Sequence, residues 1–396
     1  MRSVVGTRRG RATRPPGSSR SIGRALAACL SLALVATAVS GCWTDTAHPS
    51  ETPAAAGTAS RAPVALASPG SFSLTGAMSA RYFHTATLLK DGRVLIAGGC
   101  CNGSKALATA ELYDPGTRTF SPTGSMTVSR YFHTANLLPD GRVLIAGGFN
   151  ETGPLASAEL YNPITGTFTA TGSMAHPRQQ HTATTLKDGR VLVAGGYPGA
   201  NTAELYDEST GRFTQMGLMT AQRYGHTATL LQDGSVLLTG GELSQKSAEL
   251  FDPATGRFTM IGAATAPPLN ANRYLHTATL LNDGRVLLAG GSPGRTSAEI
   301  YDPKKNQFVS TSSMNVGRYY HTATLLPNGR VLITGGWPSD PSAEIFDPTT
   351  QAFITVPPMV YGRSRQTATL LLDGTVLIAG GAGAEGGTAP AEIYRP

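Results

Sequence analysis

Residues 81–99 read RYFHTATLLKDGRVLIAGG, and variants of this stretch occur seven times in the chain. In six copies a loop follows, and then a segment of the type AELYDP. An aromatic residue lies seven positions after the tyrosine or phenylalanine of that segment. The copies are spaced by 45 to 50 residues. A period of this length indicates a repeat fold in which each copy is one supersecondary unit. The copies begin at Arg81, Arg130, Arg178, Arg223, Arg273, Arg318 and Arg363.

Each copy predicts four short β-strands. The segments HTATLL and RVLIAGG flank an Asp-Gly or Asn-Gly pair, which is the strongest short-range signal for a β-hairpin. The AELYDP segment ends in Asp-Pro, which favours a turn, and the following aromatic segment supplies the fourth strand. No stretch of the repeats has helical periodicity. Four antiparallel strands repeated seven times predict an all-β, seven-bladed β-propeller over residues 71–396.

The two ends of the repeat region complement each other. The seventh copy stops at Pro396, before any fourth strand, whereas residues 71–78 form a fourth strand with no preceding copy. We therefore expect the N-terminal strand, at about 71–78, to close the ring by pairing with the last blade, which would remove an exposed sheet edge.

The N-terminus has the features of an export signal. An arginine-rich segment precedes the apolar run Ala25–Ala38, which is short for a membrane span. Small residues then precede Cys42, a pattern that resembles the lipidation site of bacterial lipoproteins. The resemblance implies a signal peptide over 1–41, a lipid anchor at Cys42 in the bilayer, and export to the bacterial cell envelope or surface. Ordinary signal cleavage nearby is the alternative. Residues 42–70 are rich in Ala, Pro, Ser and Thr and predict a flexible tether.

The net charge gives no support for nucleic-acid binding. The formal charge is +7, but the first 42 residues hold seven arginines and no acidic residue. The remaining residues hold 25 basic and 25 acidic side chains. A basic footprint is therefore missing from the repeat region, and we predict no nucleic-acid partner.

The repeats resemble the kelch family over residues 71–396. The resemblance rests on the glycine pair, on the tyrosine with an aromatic residue seven positions later, as in Tyr113 and Phe120, and on the segment from Met126 to the next arginine. Kelch propellers include copper radical oxidases similar to galactose oxidase, in which a Tyr-His pair binds copper. Tyr320 and His321 resemble that pair.

A copper centre of that kind also needs a second tyrosine at the same position of another blade. Those positions hold other residues, and we expect the chain to lack the additional domain that brings a further histidine. We therefore predict no metal, no cofactor and no assigned catalytic residue. The positions equivalent to Tyr320 are occupied by Phe83, Phe132, Gln180, Gly225, Leu275 and Arg365.

Three charged or titratable residues recur in register. The six histidines from His84 to His321 are interpreted as buried core groups, because each occupies the same position of a different blade. The seven arginines match seven glutamates one for one, so we expect ion pairs, since a buried charge needs a partner. Ligand contacts by these arginines are the alternative.

Loop variation marks one face of the disc. The hairpin turns and the Asp-Pro turns keep a constant length, whereas the loops after the glycine pairs and the links before the arginines vary. Variable loops on a rigid scaffold are where binding sites concentrate. We predict that this face binds a ligand. Its candidate residues are Arg81, Tyr82, Arg130, Tyr131, Phe149, Glu151, Tyr197, Arg223, Tyr224, Glu242, Arg273, Tyr274, Arg318, Tyr319 and Trp337.

These features predict a membrane-anchored, monomeric binding or interaction module for a carbohydrate or protein partner. Aromatic residues and arginines around a shallow funnel suit a sugar or a peptide. The alternatives are a carbohydrate-active enzyme (a sugar oxidase, epimerase or lyase) and a structural envelope protein without a small ligand. Cys100 and Cys101 are adjacent, and we interpret them as two thiols because neighbouring Cα atoms are closer than ordinary disulfides allow.

Overall fold

The structure is a computed structural model that describes residues 70–100, 105–262, 268–293, 295–383 and 389–396. The predicted signal peptide (1–41), the lipidation site Cys42 and all of the tether (42–70) except its last residue lie outside the described residues. Four of the variable segments are described only in part, because residues 101–104, 294 and 384–388 in the loops of blades 1, 5 and 7, and residues 263–267 in the link before blade 5, are outside these ranges.

The described residues form seven four-stranded antiparallel sheets, which confirms the predicted seven-bladed propeller. We number the blades 1 to 7 in the order of their leading arginines. The innermost strands are Thr85–Leu88, Thr134–Leu137, Thr182–Thr185, Thr227–Leu230, Thr277–Leu280, Thr322–Leu325 and Thr367–Leu370. The second strands are Val94–Ala97, Val143–Ala146, Val191–Ala194, Val236–Thr239, Val286–Ala289, Val331–Thr334 and Val376–Ala379.

The outer half of each blade comes from the AELYDP segment and the strand that follows it. The third strands are Ala110–Asp114, Ala158–Asn162, Ala203–Asp207, Ala248–Asp252, Ala298–Asp302, Ala343–Asp347 and Glu392–Arg395. The outermost strands are Thr119–Pro122, Thr167–Ala170, Arg212–Gln215, Arg257–Met260, Gln307–Ser310, Ala352–Val356 and, for blade 7, Ser71–Leu74. Three two-residue pairs extend the loops: Phe149–Asn150 with Gly153–Pro154, Arg178–Gln179 with Tyr197–Pro198, and Arg273–Tyr274 with Ser292–Pro293.

The hydrophobic pattern explains the burial of these strands. A continuous apolar run such as VLIA at Val94–Ala97 is typical of a strand covered on both sides, and all four residues are buried. Seven apolar clusters fill the seven interfaces between neighbouring blades. In the first cluster, Leu95 and Leu112 of blade 1 pack with Val143 and Tyr161 of blade 2. The inner strands contact one another in cyclic order around the ring.

Blade 7 combines both ends of the repeat region, as predicted. Ser71–Leu74 pairs antiparallel with Glu392–Arg395, and Phe72 lies opposite Tyr394 with ring centroids 4.8 Å apart. The strand is shorter than predicted, because it ends at Leu74 rather than Met78. Met78 instead packs against the apolar cluster between blades 7 and 1.

The described part of the chain contains strands, turns and bends and no helix. Within these residues there is accordingly no helix of the length and apolar character needed to cross a membrane.

Candidate functional site

The propeller has two chemically different faces. Because consecutive strands are antiparallel, connections alternate between them. We call the side with the Asp-Gly and Asp-Pro turns the turn face; on it, Arg330 donates to the carboxylate of Asp347 of the same blade. We call the opposite side, with the loops after the glycine pairs and the links before the arginines, the loop face. The sequence-predicted ligand residues belong to the loop face.

The leading arginine of every blade is buried in an ion pair, as the one-to-one matching predicted. Nitrogen-to-oxygen distances lie between 2.6 and 3.1 Å in six pairs, and the blade 7 pair is also in contact. The pairs are Arg81–Glu111, Arg130–Glu159, Arg178–Glu204, Arg223–Glu249, Arg273–Glu299, Arg318–Glu344 and Arg363–Glu392.

Each pair also fixes the backbone of its blade. Nη1 of Arg223 donates to the carbonyl oxygen of Gly240 at 2.7 Å, and Glu249 accepts the backbone N–H of Thr220 at 2.7 Å. Burial lowers the pKa of the Arg223 guanidinium, while Glu249 acts in the opposite direction. The arginine therefore anchors the start of the loop, and the glutamate anchors the link from the preceding blade.

This burial corrects one part of the predicted ligand surface. Five arginines were placed on the ligand face, yet their exposed fractions are only 0 to 1%. Their guanidinium groups lie beneath the loop face, where glutamate and carbonyl oxygens occupy them, and they do not line it. The residues concerned are Arg81, Arg130, Arg223, Arg273 and Arg318.

The six in-register histidines join neighbouring blades. Nε2 of His133 lies 3.0 Å from the hydroxyl of Thr85 in blade 1, and the same contact recurs around the ring up to His84 and Thr367. Burial lowers the pKa of His84 to about 3, with Arg81 as the second cause. All six are buried, so the prediction of core groups is confirmed. They are only partly satisfied, because within the described residues their Nδ1 atoms have no hydrogen-bond partner.

The glycine pair is required by this contact between blades. Gly98 has φ +62, and a Cβ there would lie 2.5 Å from the carbonyl oxygen of Arg130 and 2.8 Å from Cε1 of His133. Gly98 therefore lets blade 2 approach the end of blade 1 closely.

One residue of each blade, just before the histidine position, lies at the propeller axis. Within the described residues, these seven form a closed ring in which each backbone N–H donates to the carbonyl of the equivalent residue in the preceding blade, at 2.8 to 3.3 Å. All seven have positive φ, between 53 and 62°. We call them the axial ring: Phe83, Phe132, Gln180, Gly225, Leu275, Tyr320 and Arg365.

The side chains of the axial ring contact one another. The ring centroids of Phe83 and Phe132 are 3.9 Å apart, and those of Phe83 and Tyr320 are 5.4 Å apart. Nε2 of Gln180 lies 3.4 Å from the hydroxyl of Tyr320. The guanidinium carbon of Arg365 lies 5.1 Å from the centroid of Phe83 and 5.5 Å from that of Tyr320. These half-buried side chains cover the axis.

Aromatic residues lie next to the axial ring on the loop face in blades 1 to 6, whereas blade 7 has Ser364 and Ala382 at the equivalent positions. In each blade, the residue after the glycine pair forms a backbone hydrogen bond with the residue after the arginine, as in the β-bridges Tyr131–Phe149 and Tyr319–Trp337. The structure thus brings together the two sets that the sequence selected. Tyr197 and Trp337 are 45 and 42% exposed, whereas Tyr319 is buried at 7%. We call this set the aromatic collar: Tyr82, Tyr131, Phe149, Tyr197, Tyr224, Tyr274, Tyr319 and Trp337.

Two predicted acidic residues have different environments. Glu242 accepts a hydrogen bond from the Tyr274 side chain, and burial, the larger effect, raises the pKa of its carboxyl. Glu151 is exposed, and it accepts the backbone N–H of Ala106 at 2.8 Å, which ties the loop of blade 1 to that of blade 2. Cys100 is buried at the start of the blade 1 loop, and Cys101 lies outside the described residues.

Comparison with known families identifies the repeat. The model of the Kelch motif matches residues 81–127 and 132–175, which correspond to blades 1 and 2. The chain contains Kelch motifs. A search of curated proteins finds no match to the sequence.

A solved structure has a similar fold. It is a fungal alcohol oxidase of the AA5 family in complex with copper, 19% identical, and it superposes with a TM-score of 0.70. The match covers 83% of this chain and 76% of the oxidase. At this identity the likeness concerns the fold alone.

The axial residues do not fit the copper centre that a resemblance to galactose oxidase implies. Tyr320 is the one tyrosine of the axial ring, and Nε2 of the neighbouring His321 is 3.0 Å from the hydroxyl of Thr277, between blades. No cluster of three or more His, Cys, Asp or Glu side chains with the geometry of a metal site occurs in the part of the chain that the structure describes.

Proposed function

We propose that this kelch propeller is a binding module that holds a carbohydrate on the aromatic collar of its loop face. We further propose that a lipid anchor at Cys42 presents it at the bacterial cell envelope. The observation that carries the proposal is the collar itself, in which tyrosine, phenylalanine and tryptophan side chains of six of the seven blades lie around the propeller axis on the side where loop lengths vary.

The chemistry of the collar suits sugars. A pyranose has flat faces of C–H groups and edges of hydroxyl groups, so it packs on an aromatic ring while its edges bond to polar groups. Tyr197 and Trp337 offer exposed rings, and Glu242 and the tyrosine hydroxyls offer polar groups beside them. Aromatic side chains also lose little conformational entropy when they bind, because they have two side-chain torsions.

The turn face is a poorer candidate. Its inter-blade grooves are lined by charged residues, such as Asp283 and Arg285 between blades 5 and 6. These two residues pair with each other at 2.7 Å, and Arg330 and Asp347 in the same groove pair at 3.0 Å. Charges that already neutralise each other leave little electrostatic attraction for a ligand.

Binding can be tested with a panel of bacterial and plant polysaccharides and the full-length chain in detergent, by affinity electrophoresis and calorimetry. We expect at least one polysaccharide to bind, and Tyr197→Ala and Trp337→Ala each to raise its Kd about tenfold, which corresponds to about 1.4 kcal/mol. Ile164→Ala is the matched control, because Ile164 is an exposed apolar residue (92%) on the turn face. A panel without binding, or equal losses in all three variants, would overturn the proposal.

A second candidate function rests on Glu242. A carboxyl whose pKa is raised by burial, with a tyrosine hydroxyl beside it, is suited to proton transfer in a carbohydrate-active enzyme. Glu242→Gln separates the two functions: an enzyme would lose turnover of the bound sugar while keeping its Kd, whereas a binding module shows no turnover in the wild type.

A further inference from the structure

We propose that Arg365 binds the carboxylate of an acidic sugar residue at the propeller axis. This inference rests on the proposed function and deepens it, because it names the chemical class of the saccharide: a uronic-acid-containing glycan.

Blade 7 departs from the repeat where it reaches the axis. Most of the other blades read Arg-Tyr-X-His, but blade 7 reads Arg363, Ser364, Arg365 and Gln366. The arginine that recurs in every blade remains in place as Arg363 and pairs with Glu392. Arg365 is therefore an additional arginine, and within the axial ring it is the one cationic side chain.

Aromatic rings hold the Arg365 guanidinium in position. Its central carbon lies 5.1, 5.5 and 5.9 Å from the ring centroids of Phe83, Tyr320 and Tyr82. Cation–π contacts of this length stabilise a guanidinium, but they leave its N–H donors unused. Nε of Arg365 is buried and has no hydrogen-bond partner among the described residues.

Charge balance distinguishes Arg365 from the seven repeat arginines. Each of those has its own glutamate, whereas no ion pair to Arg365 is found in the described ranges. A half-buried cation without a counter-ion attracts an anion strongly, because the surrounding aromatic groups screen the charge less than water does. The planar fork of a guanidinium matches a carboxylate in two parallel hydrogen bonds.

A carboxylate on a sugar is the anion that this setting favours. One guanidinium without a counter-ion among the described residues balances the single charge of a carboxylate, whereas a phosphate group carries up to two charges. The aromatic collar lies beside the axis, with Tyr82 adjacent to Phe83 at 5.4 Å between centroids. A saccharide can therefore place its carboxylate on Arg365 while its neighbouring sugar rings pack on the collar.

The test compares acidic tetrasaccharides with their carboxyl-reduced counterparts. Tetragalacturonate and tetraglucuronate are titrated calorimetrically into the full-length chain in detergent, each beside the neutral tetramer in which every carboxylate is reduced to CH₂OH. The reduced ligands keep the ring stereochemistry, so a difference in Kd reports the carboxylate alone. We expect at least one uronate to bind ten times more tightly than its reduced form, and this preference to weaken as salt rises.

Two variants assign the preference to a residue. Arg365→Gln should abolish the difference between the acidic and the reduced ligand while the Kd of the reduced ligand stays within about twofold. Arg295→Gln is the matched control, because Arg295 also lies over a collar tyrosine, 5.4 Å from the ring of Tyr319, but is exposed and away from the axial ring. Arg365→Lys keeps the charge without the fork and should retain a reduced preference; it replaces Arg365→Gln if that variant does not fold.

The outcomes separate this inference from the proposed function. Equal binding of acidic and reduced ligands would overturn the role of Arg365 and leave carbohydrate binding intact. A preference that persists in Arg365→Gln and disappears in Arg295→Gln would also overturn it. Binding of none of the four tetrasaccharides, together with an empty polysaccharide panel, would overturn both.

Discussion

Acidification should unfold this propeller at an unusually high pH because of its six in-register histidines. Burial is the main cause that lowers the pKa of His84, His181 and His321 from 6.5 to about 3, and the adjacent arginine adds to the effect. Burial also holds the pKa values of His133, His226 and His276 well below 6.5. The folded protein thus keeps these rings neutral at pH values where the unfolded chain protonates them.

The sign and the size of the effect follow from linkage. Above about pH 6.5 both states are neutral at these positions, and their contribution to stability is complete and constant. Below that value the unfolded chain takes up protons that the folded protein excludes, so the free energy of unfolding decreases until the folded pKa is reached. Between about pH 7.5 and 5.5 each histidine costs between about 1 and 2 kcal/mol, and the six together cost roughly 8 kcal/mol. A typical domain has only about 5–15 kcal/mol to lose.

Guanidinium chloride unfolding, followed by far-UV circular dichroism at several pH values from about 8 to 5, measures this loss. Gln366 shows that glutamine fits the histidine position, since its amide donates to the carbonyl of Thr334 at 2.9 Å. His226→Gln should therefore reduce the loss between about pH 7.5 and 5.5 by between about 1 and 2 kcal/mol, with its stability at about pH 8 as the reference. A free energy of unfolding that stays constant between about pH 7.5 and 5.5, or an unchanged slope in the variant, would show that the buried histidines do not destabilise the fold on acidification.

Two further predictions concern the ion pairs and the ring closure. Glu249→Ala leaves the buried Arg223 without its counter-ion and should lower the free energy of unfolding by about 3–5 kcal/mol. Replacing both residues by methionine should recover most of this loss, because no unpaired charge then remains in the core. Urea unfolding measures both variants, and a double variant less stable than Glu249→Ala would show that a cavity, and not an unpaired charge, causes the loss. Deleting Ser71–Leu74 removes the outer partner of Glu392–Arg395, so limited proteolysis should begin in blade 7, and cleavage that begins in another blade would contradict the predicted closure.

The sequence predicted the structural features whose residues all lie within one repeat. The match between Arg223 and Glu249, and between their counterparts, predicted the ion pairs because both charges recur in register and neither can be buried alone. The unpaired ends predicted the closure of blade 7. Residues such as Tyr131 and Phe149 were assigned to one face because strand alternation fixes the face on which each connection lies.

The axial ring could not be predicted in this way. Its backbone bonds join residues of different blades, and they exist only when seven blades close around one axis. The seven positions from Phe83 to Arg365 share no side-chain chemistry. The repeat pattern therefore showed only that these positions lack a second tyrosine for a copper centre, and it indicated no other role for them. Their variation within a regular motif was the available signal. The sequence also assigned the repeat arginines to the ligand face, because it does not specify how deeply a side chain is buried.

The most direct test of the account is to map which face of the propeller contacts a bound saccharide. Hydrogen–deuterium exchange of the full-length chain, with and without the tightest-binding oligosaccharide, provides the map by peptide. We expect slower exchange in the loop-face segments that contain Tyr131, Tyr197 and Trp337 and at the axial residues around Arg365, with the Asp-Gly turns unchanged. Protection confined to the turn face or to the outermost strands would contradict the central claim that the aromatic collar binds the sugar.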